Sequence, residues 1–399
     1  MMRFILVLTL LATGCSGSAA TTENRPDFAD VKIGLLITTG GRSGDLAGPS
    51  IGAAKVAAAH LKADHGVEVT IEQADYQGDP SLVPQLIKDL AARTEAIVIG
   101  SDDPAILPSL AAMSVPLIHA YITTDGATDE PKSYRLAPSN TLQARSLASY
   151  LVRHRRYARI ALLAENAPYG QQGGPAFADA VRKEGASLVE EISFDTGGEV
   201  HTAVSSASDS GAQVLVVWTE DPAEAARVVI DVHRSNIAYQ LAVPTNVTGP
   251  GFGKNAVAQI VPTAFREGIL SVGQWSGPWI DEPNVRRFHK DFRKQENDIA
   301  PIKSSSIYDA VKLLSAAKTH GSIASGLPKI KDFRGVGTPI TFDARREGIG
   351  ADDMWGWGFT KSETAAGAEF FPAVDTGGGF FTLVPAGLKV PERFRYLIS

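Results

Sequence analysis

Val31–Ile37 (VKIGLLI) runs directly into Thr38-Thr39-Gly40-Gly41-Arg42-Ser43-Gly44-Asp45 and then into Pro49–Leu61 (PSIGAAKVAAAHL). The first stretch is a short continuous apolar run, the second is rich in glycine, and the third spaces its apolar residues as a helix does. The unit recurs. Val67–Gln73 (VEVTIEQ) alternates and Asp75–Pro80 turns. Leu82–Arg93 reads as a helix, Ala96–Ile99 as a buried run, Ala105–Met113 as a helix and Pro116–Ala120 as a strand. The series restarts at Arg159–Ala164 (RIALLA) and continues through Ala176–Glu184, Leu188–Phe194, Val200–Ser208, Val214–Trp218, Ala223–Ser235 and Leu241–Val243. Strands alternating with helices of this length form a parallel sheet covered on both faces. The fold class is therefore α/β, with two doubly wound parallel-sheet lobes. Ligands of such sheets bind outside the carboxyl ends of the strands, so two facing lobes make a cleft.

Composition narrows the function. The 399 residues carry 38 Lys+Arg against 44 Asp+Glu, a formal charge of −6. A nucleic-acid binder needs a basic surface to displace counterions, and this balance argues against one. The single cysteine, Cys15, allows no intramolecular disulfide, so stability has to come from buried apolar area.

Cys15 closes a short apolar run, Phe4–Ala12 (FILVLTLLA), that follows Arg3. The run is the length of a secretory h-region and falls short of the ~20 apolar residues that span a bilayer. Leu11-Ala12-Thr13-Gly14-Cys15 resembles the bacterial lipobox, with Ala12 where Leu, Val or Ile is usual. The resemblance implies a signal peptide over residues 1–14 and a lipid attached to Cys15. The alternative is an ordinary signal peptide with an incidental cysteine. Residues 15–29 are small, polar and Pro-containing and read as a tether. The expected location is extracytoplasmic, on a cell membrane.

Four blocks in order carry a family resemblance. They are Val31–Leu36 with Gly52-Ala53-Ala54; Asp75-x-Gln77-Gly78-Asp79-Pro80; Val98-Ile99-Gly100 with Val115–Ile118; and Tyr134–Ser139 with Ile160–Leu163 and Tyr169-Gly170. Ile307–Val311, Phe333-x-Gly335-x-Gly337 and Phe342-Asp343 continue the series. The chain resembles the type I periplasmic binding proteins, specifically the branched-chain amino acid (Leu/Ile/Val) binding family of ABC transporters. The resemblance implies two lobes joined by three crossing strands, near Ala137–Gln143, Val272–Ser276 and Gly350–Trp357. Lobe 1 is then 30–138 with 274–350, and lobe 2 is 143–272 with 356–399. The Gly- and Phe-rich tail departs from the family pattern and either adds a strand or two or is irregular.

Candidate ligand contacts follow loop by loop. Thr39 offers a hydroxyl beside glycines that either leave N–H groups open to a ligand or only turn the chain into its helix. The resemblance implies that Ser101 and Thr123 hold a ligand's polar end and that Tyr169 closes over it from lobe 2. It further implies that Tyr169 and Thr123 face solvent when the lobes are open. Asp102 has two readings: a ligand contact, or part of a helix cap with Asp103 and Pro104. Tyr121 shares the Thr123 loop. Glu220 and Asp221 end a strand, as ligand acids or as a solvated helix start. Thr245 stands where amino-acid binders often keep a carboxylate for the ligand's ammonium. A buried ammonium without an acceptor costs several kcal/mol, so Asp102, Glu220 or Asp221 supplies that charge, or the ligand is an amide, polyol or other uncharged solute. His119 reads as a packed, hydrogen-bonded core residue.

No thiol nucleophile, Gly-x-Ser-x-Gly elbow, helical His-x-x-x-His pair or Walker loop is present, and neither a metal, a cofactor nor an enzymatic activity is expected. The expected protein is a monomer that closes on a small polar solute, an amino acid or amide-like compound, and delivers it to an ABC permease. The alternative is a sensory receptor that uses the same fold to report a solute to a partner protein.

Overall fold

The computed structural model describes residues 27–41, 43–237, 240–244, 247, 260–262, 265, 268–274, 283–297, 300–301, 303–350, 353–361, 370–374 and 384–385. The first sheet is built from β1 (Val31–Ile37), β2 (Val69–Asp75), β3 (Ala96–Ile99), β4 (Leu117–His119) and β5 (Ser133–Arg135). Its order is β2-β1-β3-β4-β5, every pair parallel. The second contains β6 (Arg159–Glu165), β7 (Ser187–Phe194), β8 (Val214–Trp218), β9 (Gln240–Ala242), β10 (Leu270–Gln274), β11 (Met354–Lys361), β12 (Phe370–Val374) and β13 (Val384–Pro385). Strands β7-β6-β8-β9-β10 are parallel, whereas β11 runs antiparallel to β10 and pairs with both β12 and β13. The tail beyond Ala365 thus adds strands to the second sheet.

The helices are α1 (Ala47–His65), α2 (Val83–Ala91), α3 (Asn140–Ser149), α4 (Pro168–Lys183), α5 (His201–Asp209), α6 (Pro222–Arg234), α7 (Pro283–Glu296), α8 (Ser304–Lys318) and the short α9 (Ile323–Gly326). Each central strand is buried on both faces, as a doubly wound sheet requires. In the first sheet Ile33 and Leu35 pack towards α1 and α8, while Leu36 and Ile97 pack towards α2. In the second, Leu162 and Val216 meet α3 and α4, while Leu163 and Leu215 meet α5 and α6.

Local chemistry sets the element ends. Helix α1 stops at Gly66, whose left-handed conformation (φ 68°) returns its N–H to the last turn. Ser139 and Asp221 cap α3 and α6 by accepting from Leu142 N (3.0 Å) and Ala223 N (2.8 Å). Two sequence expectations need correction. The helix expected over 105–113 is instead a 3-10 stretch, Pro104–Leu110. Pro108 lies inside it and cannot donate to an α-helical ladder. Helix α4 begins at Pro168, eight residues ahead of the expected Ala176. Gly170, Gly173 and Gly174 masked its first turns, and they are glycines for packing reasons. A Cβ at Gly173 would collide with the Trp218 indole, and one at Gly170 with the Glu165 carbonyl.

The chain leaves the first sheet after β5 and enters α3. It leaves the second after β10, and α7 then packs on α1 with Arg287 bonded to Asp64 (2.6 Å). It passes back to β11 from residues 346–348, which are hydrogen-bonded to Arg135.

Candidate functional site

The carboxyl ends of β1, β3 and β4 bring Thr39, Ser101, Asp102, Tyr121 and Thr123 to one edge of the first sheet, and most of their polar groups are already engaged. The Thr39 hydroxyl donates to Asp75 (2.5 Å), as does its N–H (2.9 Å). Burial pushes the Asp75 carboxyl up, but these bonds and one from Gln77 N outweigh it and hold it below its ordinary value. Gly40 and Gly78 touch backbone to backbone, so the glycines of the first loop serve the approach of the 75–79 turn. Ser101 is fully buried, with its hydroxyl against that of Tyr76 (2.6 Å). Burial raises the Tyr76 phenol to about 12. Tyr121 is buried too, its hydroxyl 2.9 Å from Ser50.

Asp102 is half-buried and joins two elements. One oxygen accepts from Ser43, and the other forms an ion pair with Lys303 (2.7 Å), the residue just before α8. Lys303 was not anticipated, although a lysine at a helix start is a signal in itself. It opposes the helix dipole and needs an anion beside it.

Thr123 differs from these neighbours. It is half-buried, and its hydroxyl has no hydrogen-bond partner among the described residues. Its carbonyl accepts from Asn140 N (2.8 Å), where the chain enters α3. Two residues on, Asp125 receives the Thr141 hydroxyl (2.5 Å), and its N–H donates to Gln172 Oε1 (3.2 Å). Gln172 also accepts from Asn140 Nδ2 (2.8 Å). The loop after β4 therefore touches α4 of the second lobe directly. Gln172 lies three positions after Tyr169 on one helix face, a spacing that the sequence displays.

Tyr169 does not face solvent. It is 2 % exposed, stacks on Trp218 at 5.4 Å, and donates to Gln143 (3.2 Å). The expectation of a solvent-facing ring is corrected here, because the indole at the end of β8 and helix α3 cover it. Asp221 serves as the cap of α6, and Glu220 is half-buried beside it. Beneath them Glu165, which sequence reasoning passed over, is buried and accepts from Thr196 (2.5 Å) and Thr219, tying three loop ends together. Thr245 and Cys15 lie outside the described residues.

His119 is packed but not satisfied, a second correction. It has no exposed surface, and neither ring nitrogen has a hydrogen-bond partner among the described residues. Burial, helped by Arg135, lowers its pKa to about 3.

Residues 30–357 match the sequence model of a family described as periplasmic binding protein. The chain belongs to that family. Among solved structures, the ABC transporter substrate-binding protein from Desulfitobacterium hafniense, complexed with Leu, is 18% identical with a TM-score of 0.70, over 86% of this chain and 100% of that one. The branched-chain amino acid transporter substrate-binding protein LivJ from Streptococcus pneumoniae, complexed with isoleucine, is 19% identical with a TM-score of 0.68, over 86% of this chain and 99% of that one. A solute-binding protein of an ABC transporter from R. palustris, complexed with benzoate, is 14% identical with a TM-score of 0.67, over 86% of this chain and 95% of that one. No curated protein matches the chain in sequence.

Proposed function

We propose that this chain is an extracytoplasmic solute-binding protein of an ABC importer, closing two lobes on a small polar solute, an amino acid or amide-like compound. The observation that carries the reading is the meeting of the Thr123–Asp125 loop with Gln172 of α4, at the point where the chain enters α3. Polar groups of both lobes converge there, and the Thr123 hydroxyl remains available. A ligand that touches both lobes only when they are closed shifts the population towards the closed form by its differential affinity. Family membership and the solute-bound relatives support the reading. Within it Thr123 holds the solute, with Thr39, Ser101, Asp102 and Tyr121 shaping the first-lobe wall. Tyr169, Glu220, Asp221 and Thr245 belong to the second-lobe wall.

A thermal-shift panel of L-leucine, L-isoleucine, primary amides, polyols and benzoate tests binding. A ligand at a thousandfold excess over its Kd adds about 4 kcal/mol to apparent stability, an easily read rise in Tm. No shift with any compound class would sink the reading.

The same proposal places a lipid on Cys15 and a monomer beside its permease. Fatty-acid labelling is expected in the wild type and absent in Cys15→Ser. An unlabelled wild-type chain recovered wholly in the soluble fraction would remove the anchor.

A further inference from the structure

Arg135, on β5, is 1% exposed, and its guanidinium ties two other segments to that strand. Nε and Nη2 donate to the two carboxylate oxygens of Glu347, at 2.7 and 2.5 Å. Nη1 donates to the carbonyls of Thr124 (2.6 Å) and Thr123 (3.2 Å). The backbone is joined at the same place. Arg135 N–H donates to Arg346 O (3.1 Å), and Gly348 N–H donates to Arg135 O (2.8 Å). The segment that feeds β11 is thus fastened to the strand that feeds α3, and the same side chain holds the loop that carries Thr123. A buried guanidinium demands acceptors on every side, and the fork of arginine meets both a carboxylate and two carbonyls, which a lysine cannot do.

We infer that Arg135, clamped by Glu347, is a positioning residue that couples the Thr123–Thr124 loop to two of the passages between the lobes. The inference rests on the solute-binding reading only for what the loop holds; the clamp itself is a property of the fold. Loosening it frees the loop and the passages together.

The test uses the full chain without added solute, carrying Cys15→Ser and spin labels at Lys88→Cys and Lys183→Cys, exposed positions on α2 and α4. Arg135→Lys and Glu347→Gln are each expected to broaden the distance distribution between the labels. They are also expected to speed hydrogen exchange at the Asn140 and Gly348 amides on the order of a hundredfold, since each leaves the buried pair incompletely bonded. Glu224→Gln, which removes an ion pair with Arg227 in the second lobe, should change neither. In the wild type the Asn140, Arg135 and Gly348 amides should open with one shared free energy. That measurement judges the clamp even if a variant does not fold. Wild-type distances and rates in folded variants, or independent opening of the three amides, would overturn it. A failed solute screen would instead remove the binding reading and leave these rates untouched.

Discussion

Replacing Tyr169 by alanine is expected to lower the unfolding free energy by about 3–5 kcal/mol, the usual cost of deleting a buried aromatic ring. The ring is 2 % exposed, lies parallel to Trp218 with only 9° between the planes, and seals the first turn of α4 against β8 and α3. Gly173 and Phe177, farther along the helix, touch the same indole, so the surroundings cannot collapse into the space without moving α4. Tyr169→Phe keeps the ring and loses the bond to Gln143, about 1 kcal/mol. Urea unfolding followed by circular dichroism measures both. The pair of variants also separates folding from binding. If Tyr169 does close over a solute, its ring must leave the indole to do so. An alanine variant with the wild-type unfolding midpoint would mean that the ring does not pack as described.

Acidification should destabilise the protein well before its carboxylates titrate. His119 is neutral when folded because burial, and then Arg135, hold its pKa near 3, against an ordinary value of 6.5. Above pH 6.5 neither state takes up the proton, and the full stability is present. As the pH falls from 6.5 towards 3 the unfolded chain binds a proton that the folded chain refuses. Stability therefore drops by about 1.4 kcal/mol per pH unit for this residue. His60 is displaced the same way, chiefly by burial. His119→Leu isolates the contribution. It should flatten the slope between pH 6 and 4 by about one proton. It should also raise stability at pH 7 by roughly 1 kcal/mol, because two unpartnered nitrogens disappear. An identical slope in wild type and variant would show that His119 takes up its proton in the folded protein.

The two sheets were legible because their strands are short apolar runs buried on both faces, and runs such as Ile97–Ile99 and Leu162–Leu163 permit little else. Helix α4 was read too short because Gly170, Gly173, Gly174 and Pro175 look like a loop in sequence. The neighbouring indole explains Gly173, the Glu165 carbonyl Gly170 and the close Ala164 side chain Gly174. Pro108, which has no N–H for an α-helical ladder, is the visible cause of the 3-10 stretch in place of the expected helix. The site was less legible than the fold. Loop positions at the carboxyl edge could be named, but not which hydroxyls were already spent. Thr39 is taken by Asp75 and Ser101 by Tyr76, partners from separate elements. Arg135 and Glu347 are 212 residues apart, and Asp102 and Lys303 are 201 apart. No local pattern announces such pairs. Gln172 could have been found, since it shares a helix face with Tyr169.

Closure of the two lobes on a solute is the central claim. Small-angle scattering of the protein with and without a solute that raises its Tm tests it most directly. The account predicts a smaller radius of gyration in the complex, as the two lobes close around the bound molecule. An unchanged radius at saturating solute would contradict it, and would mean a rigid receptor that does not signal occupancy by moving its lobes.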